Sequence, residues 1–415
     1  MSRSGEIMKD VPELVPLSVI GKKREPQSLF CALCQGPFVH LFFAVAILAG
    51  LVGISYLGIH LWLMRVGLME MRPSFLSFRA LHAEIQLFLF FGFFVLGFIA
   101  QASPKLLQVD RRMSPWCMLS LIFAPSGLLL EHVFSFPVIG KLLLSGSFLL
   151  ILLCLIPLAL GGSTERRWPV GGLFSIGLLS FSIGVWLPIE RTEVSLLVFW
   201  AALLPSVLAA SQQFLSGLFG GRFLRFRQLL LVIVLYFCSV FSLIKMAYPF
   251  ELFDSPMDVF ALSALLLVVV FLRVTKVNIR RATGFVRLTF LFALTWSLVG
   301  PILIIFHLLA ADAILHLYAL GVGFTLLLGV SLQILNHLSG RELLSRRVSL
   351  LFLCVWQLVP LLRCFSWWSN PHLCLFGTSV ISFIHLIWSY VVLKASWRIG
   401  VRALTLRKGE SLVQC

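Results

Sequence analysis

Hydrophobic residues in this chain fall in long unbroken blocks rather than alternating with polar ones or marking a single helical face. In order, the blocks run from Pro37 to Met64, Ala80 to Ser103, Pro115 to Val133, Ile139 to Leu160, Pro169 to Pro188, Val194 to Leu218, Leu229 to Ala247, Met257 to Leu272, Leu288 to Ala310, Ala313 to Leu335, Val348 to Leu362 and His372 to Lys394. Most approach the roughly 20 apolar residues that a helix needs to cross a bilayer. The pattern predicts an all-α fold, a polytopic transmembrane bundle of about 12 spans over residues 37–395. A cytoplasmic tail is expected at 1–36 and another at 396–415. Within the ninth block, Gly300-Pro301 predicts a kink.

Composition strengthens this reading. Of 415 residues, 60% are hydrophobic and 12% charged, more apolar surface than a soluble domain can hide, whereas a bilayer can cover it. Lipid is therefore the first expected partner. The net charge of +16 would point to nucleic acid if the basic residues formed one patch. They recur instead in short clusters between the blocks, such as Lys105 with Arg111 and Arg112, and Arg222 with Arg225 and Arg227. No nucleic-acid partner is expected.

The same clusters orient the bundle. With both termini cytoplasmic, only Arg65, Arg72, Arg79, Lys141, Arg191, Lys245 and Arg363 of the 33 Lys and Arg fall outside, which is the positive-inside bias. The first block follows a polar lead containing Lys22, Lys23 and Arg24, so it reads as an uncleaved insertion signal.

Orientation sorts the nine histidines by depth. His60, His82, His132, His307, His316 and His372 fall toward the outer face, His40 and His337 toward the inner face, and His385 inside the last span. Imidazole is a common ligand of haem iron and of copper, and an ionisable side chain in a span is a functional candidate by default. Glu84 lies two positions after His82, so on a regular helix the two point about 200° apart and cannot grip one small ion. It is a candidate for supporting a ligand or for a structural ion pair. His316 and His337 are separated by roughly 30 Å along one helix and cannot share a metal. The inner end Asn336-His337-Leu338-Ser339-Gly340-Arg341 reads as a helix terminus, with Gly340 as its stop. Gly321, Gly323 and Gly329 leave room for a neighbouring helix or a flat macrocycle.

Other motifs are weak. Cys31-Ala32-Leu33-Cys34 has the spacing of a metal or redox pair, and Cys364 with Cys374 flanks an outer connection where a bridge is conceivable. No phosphate-binding loop, nucleophile triad or His-Glu-x-x-His is present to support hydrolase or nucleotide-driven chemistry.

The stretch His82-Ala83-Glu84-Ile85-Gln86, followed by Gly97-Phe98 and Pro104, resembles the opening of the second helix of the NnrS family, His-Ala-His-Glu-Met, closed by Gly-Phe and proline. Here His82 takes the family's first histidine and Glu84 its second. His316-Leu317-Tyr318-Ala319-Leu320-Gly321, running to His337-Leu338-Ser339-Gly340-Arg341, resembles the family's tenth helix, with one extra residue between histidine and glycine. The resemblance implies a bacterial inner-membrane protein holding b-type haem, and copper as a further metal, linked to nitric oxide stress, denitrification or a respiratory partner. His82 and His316 would ligate haem iron, with His60, His132 and His307 as candidates for the opposite axial position or a nearby copper, and Glu84, His337 and Arg341 as supporting residues. Two readings stand beside it: a secondary transporter of a small solute, and a non-catalytic accessory protein that carries haem or copper. Whether the chain is an enzyme stays open.

Overall fold

A computed structural model describes residues 39–71, 75–248, 255–278, 284–340, 342–366 and 371–405. The described residues fold into twelve helices: α1 (His40–Arg65), α2 (Phe75–Leu107), α3 (Ser120–His132), α4 (Pro137–Gly161), α5 (residues 164–184), α6 (Thr192–Ser216), α7 (Phe226–Ala247), α8 (Pro256–Thr275), α9 (Phe285–Ile305), α10 (Ala311–Ser339), α11 (Arg346–Ser366) and α12 (Pro371–Thr405). Each overlaps one predicted block, and no strand occurs among the described residues.

Nine of these helices are long and apolar enough to cross a membrane. The others are α3, α5 and α11. The 13 residues of α3 span only about 20 Å, less than a hydrocarbon core, and a 3₁₀ segment, Pro115–Leu119, precedes them. Arg346 and Arg347 open α11 and Arg363 lies in its last turn. Helix α12 continues through Thr405, into the stretch expected as a tail. Cys31, Cys34, Cys364, Cys374, His372 and Arg341 are residues or side chains outside those described.

Consecutive helices pack as neighbours, and α12 closes the arrangement against α1. Their outward faces carry exposed Leu142, Leu153, Leu231, Val234, Phe237, Phe383 and Leu386, an apolar surface far larger than a water-facing protein tolerates. The chain is a multi-pass membrane protein. Its interior is aromatic and centred on α2, where Phe88, Phe90, Phe93 and Phe94 are buried. Phe90 stacks on Phe324 of α10 at 5.3 Å, and Phe88 meets Phe148 of α4 edge-on at 6.2 Å.

Helix α9 runs on through Pro301, while Gly300 admits Leu317 and Tyr318 of α10. The glycines of α10 serve helix packing rather than a macrocycle. A Cβ on Gly321 would lie 2.6 Å from the Trp296 ring, one on Gly323 2.9 Å from Phe91, and Gly329 is closed by Thr289. Gly340 ends α10 in the left-handed region with φ 68°, as expected of a helix stop.

Candidate functional site

The site forms where regular α-helix gives way. Residues Leu51–Leu57 of α1, Ile85–Phe91 of α2 and Leu317–Phe324 of α10 are wound as π-helix. Each wider turn re-aims the side chains and carbonyls beside it, and such segments recur at functional sites. His82 directly precedes the second of these segments by one turn, and His316 directly precedes the third.

Both histidines line one cavity of about 190 Å³. Its walls are apolar, with Ile54, Phe75, Leu87, Phe91, Phe199 and Phe324 among them. Gly58 flanks the His82 ring, and a Cβ placed there would sit 3.7 Å from Cε1. Gln86 also lines the cavity, and its buried Nε2 has no hydrogen-bond partner.

The two imidazoles are held in the same way. His82 Nδ1 donates to the carbonyl of Gly53 at 2.8 Å, and His316 Nδ1 donates to that of Asp312 at 2.7 Å. A carbonyl only accepts, so each bond fixes the proton on Nδ1 and leaves the Nε2 lone pair available. Neither Nε2 has a hydrogen-bond partner among the described residues. Orienting a ligand imidazole through its other nitrogen is the usual outer-shell device of metal sites.

At the end that the charge bias assigns to the outer face, Arg65, Arg79 and Arg363 line the cavity, with Asp312 as the only acid among its lining residues. Arg363 pairs with Asp312, and Arg79 donates to Thr192. The indole of Trp62 has the guanidinium of Arg65 at 4.9 Å and that of Arg363 at 4.7 Å. This mouth is therefore cationic, on the side where the sequence has few basic residues.

The remaining candidate ligands lie elsewhere. His60 packs against Tyr56 and Phe78, at ring distances of 5.9 and 5.7 Å. His307 is mostly exposed and sits 3.9 Å from Asp258. His132 donates from Nε2 to Glu84 at 2.7 Å. None of the three lines the cavity that holds His82 and His316. Glu84 likewise does not support His82, whose Nδ1 is taken by Gly53; the carboxylate faces α3 because the helix turns it away. His337 is exposed at the inner end of α10.

No family model matches the chain, and no curated protein matches it. Among solved structures, the chain superposes on one from the cryo-EM structure of a haem-copper terminal oxidase dimer, with TM-score 0.59 and 13% identity. The match covers 91% of this chain and 85% of that one. The class defined is thus a polytopic helical membrane protein with a fold similar to that of a haem-copper terminal oxidase chain.

Proposed function

We propose that this chain is a membrane haem protein in which Nε2 of His82 and Nε2 of His316 would hold the iron. The observation that carries the reading is that two imidazoles from helices more than 200 residues apart in sequence face one cavity, each with its proton committed to a backbone carbonyl. The donor set suits haem: two neutral nitrogen ligands, aromatic walls, Gly58 beside one ring, and the unpartnered amide of Gln86. Arg65, Arg79 and Arg363 are placed to hold the acidic substituents of a tetrapyrrole.

Bound there, haem would supply one-electron exchange between ferric and ferrous iron. Iron held by two imidazoles would favour carrying electrons over turning over a gas. The sole Cys-x-x-Cys is followed by Gln35 rather than histidine, so covalent attachment is not supported and a b-type haem fits better. The segments that resemble the NnrS family, around His82 and His316, are those that build the cavity. This favours a role in nitric oxide stress or denitrification in a bacterial inner membrane. Copper rests on that resemblance and on the kind of oxidase whose fold is similar; no third imidazole lines the cavity.

The test is the spectrum of detergent-purified protein after haem-replete expression, wild type beside His82→Ala and His316→Ala. A low-spin Soret band and split visible bands are expected in the wild type, and neither variant should keep them. A wild type without Soret absorption, or variants with an unchanged spectrum, would overturn the proposal. A knockout that grows unaltered under a nitric oxide donor would remove the physiological part alone.

A further inference from the structure

A second cluster of ligand-type side chains sits away from the cavity, between α2, α3 and α4. Ligand atoms of Glu84, Glu131 and His132 lie within 4.8 Å of one another. Glu84 and Glu131 side chains are 11% and 10% exposed, and that of His132 is 24% exposed. The near-contact of α3 and α4 builds this place. A Cβ on Gly127 would lie 2.6 Å from the Gly140 carbonyl oxygen, and one on Gly140 would lie 2.8 Å from the Glu131 Cβ. Backbone therefore presses on backbone, and Glu131 is held beside Lys141, whose Nζ is 3.7 Å from its Oε1.

An ion-pair network accounts for only part of the cluster. His132 satisfies Glu84 and Lys141 approaches Glu131 through Oε1, yet Glu131 Oε2 is buried without a hydrogen-bond partner. A carboxylate oxygen out of water without a donor is costly. Two carboxylates are thus crowded beside one imidazole and one ammonium, with an acceptor of Glu131 left unmet.

We propose that Glu84, Glu131 and His132 form a binding site for a borderline divalent transition ion of the zinc type. One imidazole with two carboxylates is a donor set such ions accept, and water would complete the coordination. The ion takes the position of the proton that Nε2 of His132 shares with Glu84. The bound ring carries its one remaining proton on Nδ1, so an imidazolium gives up one proton to solvent and a neutral ring only changes tautomer. Lys141 competes with the ion for Glu131. The site is independent of the proposed haem ligands, none of which it contains.

The test uses untagged, full-length protein in detergent, stripped with chelator, in a His82→Ala/His316→Ala background that removes the cavity imidazoles. Co²⁺ is titrated by its visible absorption and then displaced with Zn²⁺. One Co²⁺ per chain is expected, weakened about tenfold or more by Glu131→Gln or by His132→Ala. Lys141→Met, which removes the competing cation, is expected to tighten binding by a similar factor. Tighter binding cannot come from misfolding. Absent saturable binding, or unchanged affinity in Glu131→Gln and His132→Ala, overturns the site; so does a Lys141→Met variant that binds no more tightly than its parent.

Discussion

His82 of α2 donates from Nδ1 to the carbonyl of Gly53 in α1 at 2.8 Å. The bond needs the two helices to approach closely, and the absent side chain at residue 53 permits this. A Cβ there would lie 2.7 Å from Gln86 Nε2 and 2.8 Å from Ile85 Cγ2. Gln86 can swing aside; the β-branched Ile85 has little freedom to do so. Gly53→Val should therefore push α2 outward, costing about 1–3 kcal/mol by overpacking and loosening the imidazole. The expected outcome is a lower Tm with altered low-spin electron paramagnetic resonance of the haem-loaded protein. Gly58→Ala is the control, because its Cβ meets ordinary contacts at 3.6–3.9 Å, and its Tm should not fall.

The Asp312–Arg363 pair ties the first turn of α10 to the outer end of α11, while the Asp312 carbonyl holds His316. Removing the guanidinium leaves a mostly buried carboxylate short of its partner. Arg363→Met should fall toward the lower end of the about 3–5 kcal/mol typical for breaking a buried pair, because Asp312 retains 22% side-chain exposure. The double variant Arg363→Met/Asp312→Asn should recover most of that loss. Unfolding in denaturing detergent, read as a double-mutant cycle, checks the coupling. Equal stability of the double variant and Arg363→Met would show that the pair is not the linkage.

Block lengths revealed the twelve helices because hydrocarbon leaves a chain few choices: each described helix overlaps one apolar block. Depth alone gave six histidines of equal standing, and only the resemblance singled out those of α2 and α10. The shared Nδ1-to-carbonyl arrangement was not legible, since it depends on π turns whose extra residue leaves no mark in hydropathy. A neglected signal did exist for the cationic mouth. Arg65, Arg79 and Arg363 lie on the face that the positive-inside bias keeps poor in basic residues, and arginines retained against that bias call for a local reason. Asp312 escaped notice because the predicted tenth span began one residue after it, at Ala313. His60, His132 and His307 share a depth with the site, but depth constrains only one of three coordinates. The structure spreads them around the bundle.

Gly127 and Gly140 put the backbones of α3 and α4 in contact, with the Gly140 Cβ position 2.5 Å from the Gly127 carbonyl oxygen. No rotamer relieves a clash with backbone. Gly140→Ala should cost about 1–3 kcal/mol, despite the helix propensity that alanine adds. Because the added methyl also meets Glu131, Co²⁺ affinity should fall together with Tm. Gly146→Ala, with open space at its Cβ, should leave Co²⁺ affinity unchanged and should not lower Tm; a parallel loss there would mean that α4 responds to any substitution.

His385 is fully buried in α12, wedged between Phe90 at 5.8 Å and Phe324 at 6.2 Å. Its Nδ1 lies 3.4 Å from the Ser55 hydroxyl, a long contact, and its Nε2 has no hydrogen-bond partner. Gly50 gives the ring its space, since a Cβ there would stand 2.6 Å from Nε2. A buried polar atom with nothing to bond is a cost that an apolar residue of similar size does not carry. His385→Leu should therefore be neutral or raise stability by about 1 kcal/mol, with the haem spectrum unchanged because the imidazole does not line the cavity. His385→Ala should instead lose about 2–4 kcal/mol by leaving a void among the aromatic rings. Thermal unfolding of the two variants separates these outcomes. A leucine variant as unstable as the alanine variant would show that the imidazole makes a favourable polar interaction, with a water or ion held against Gly50.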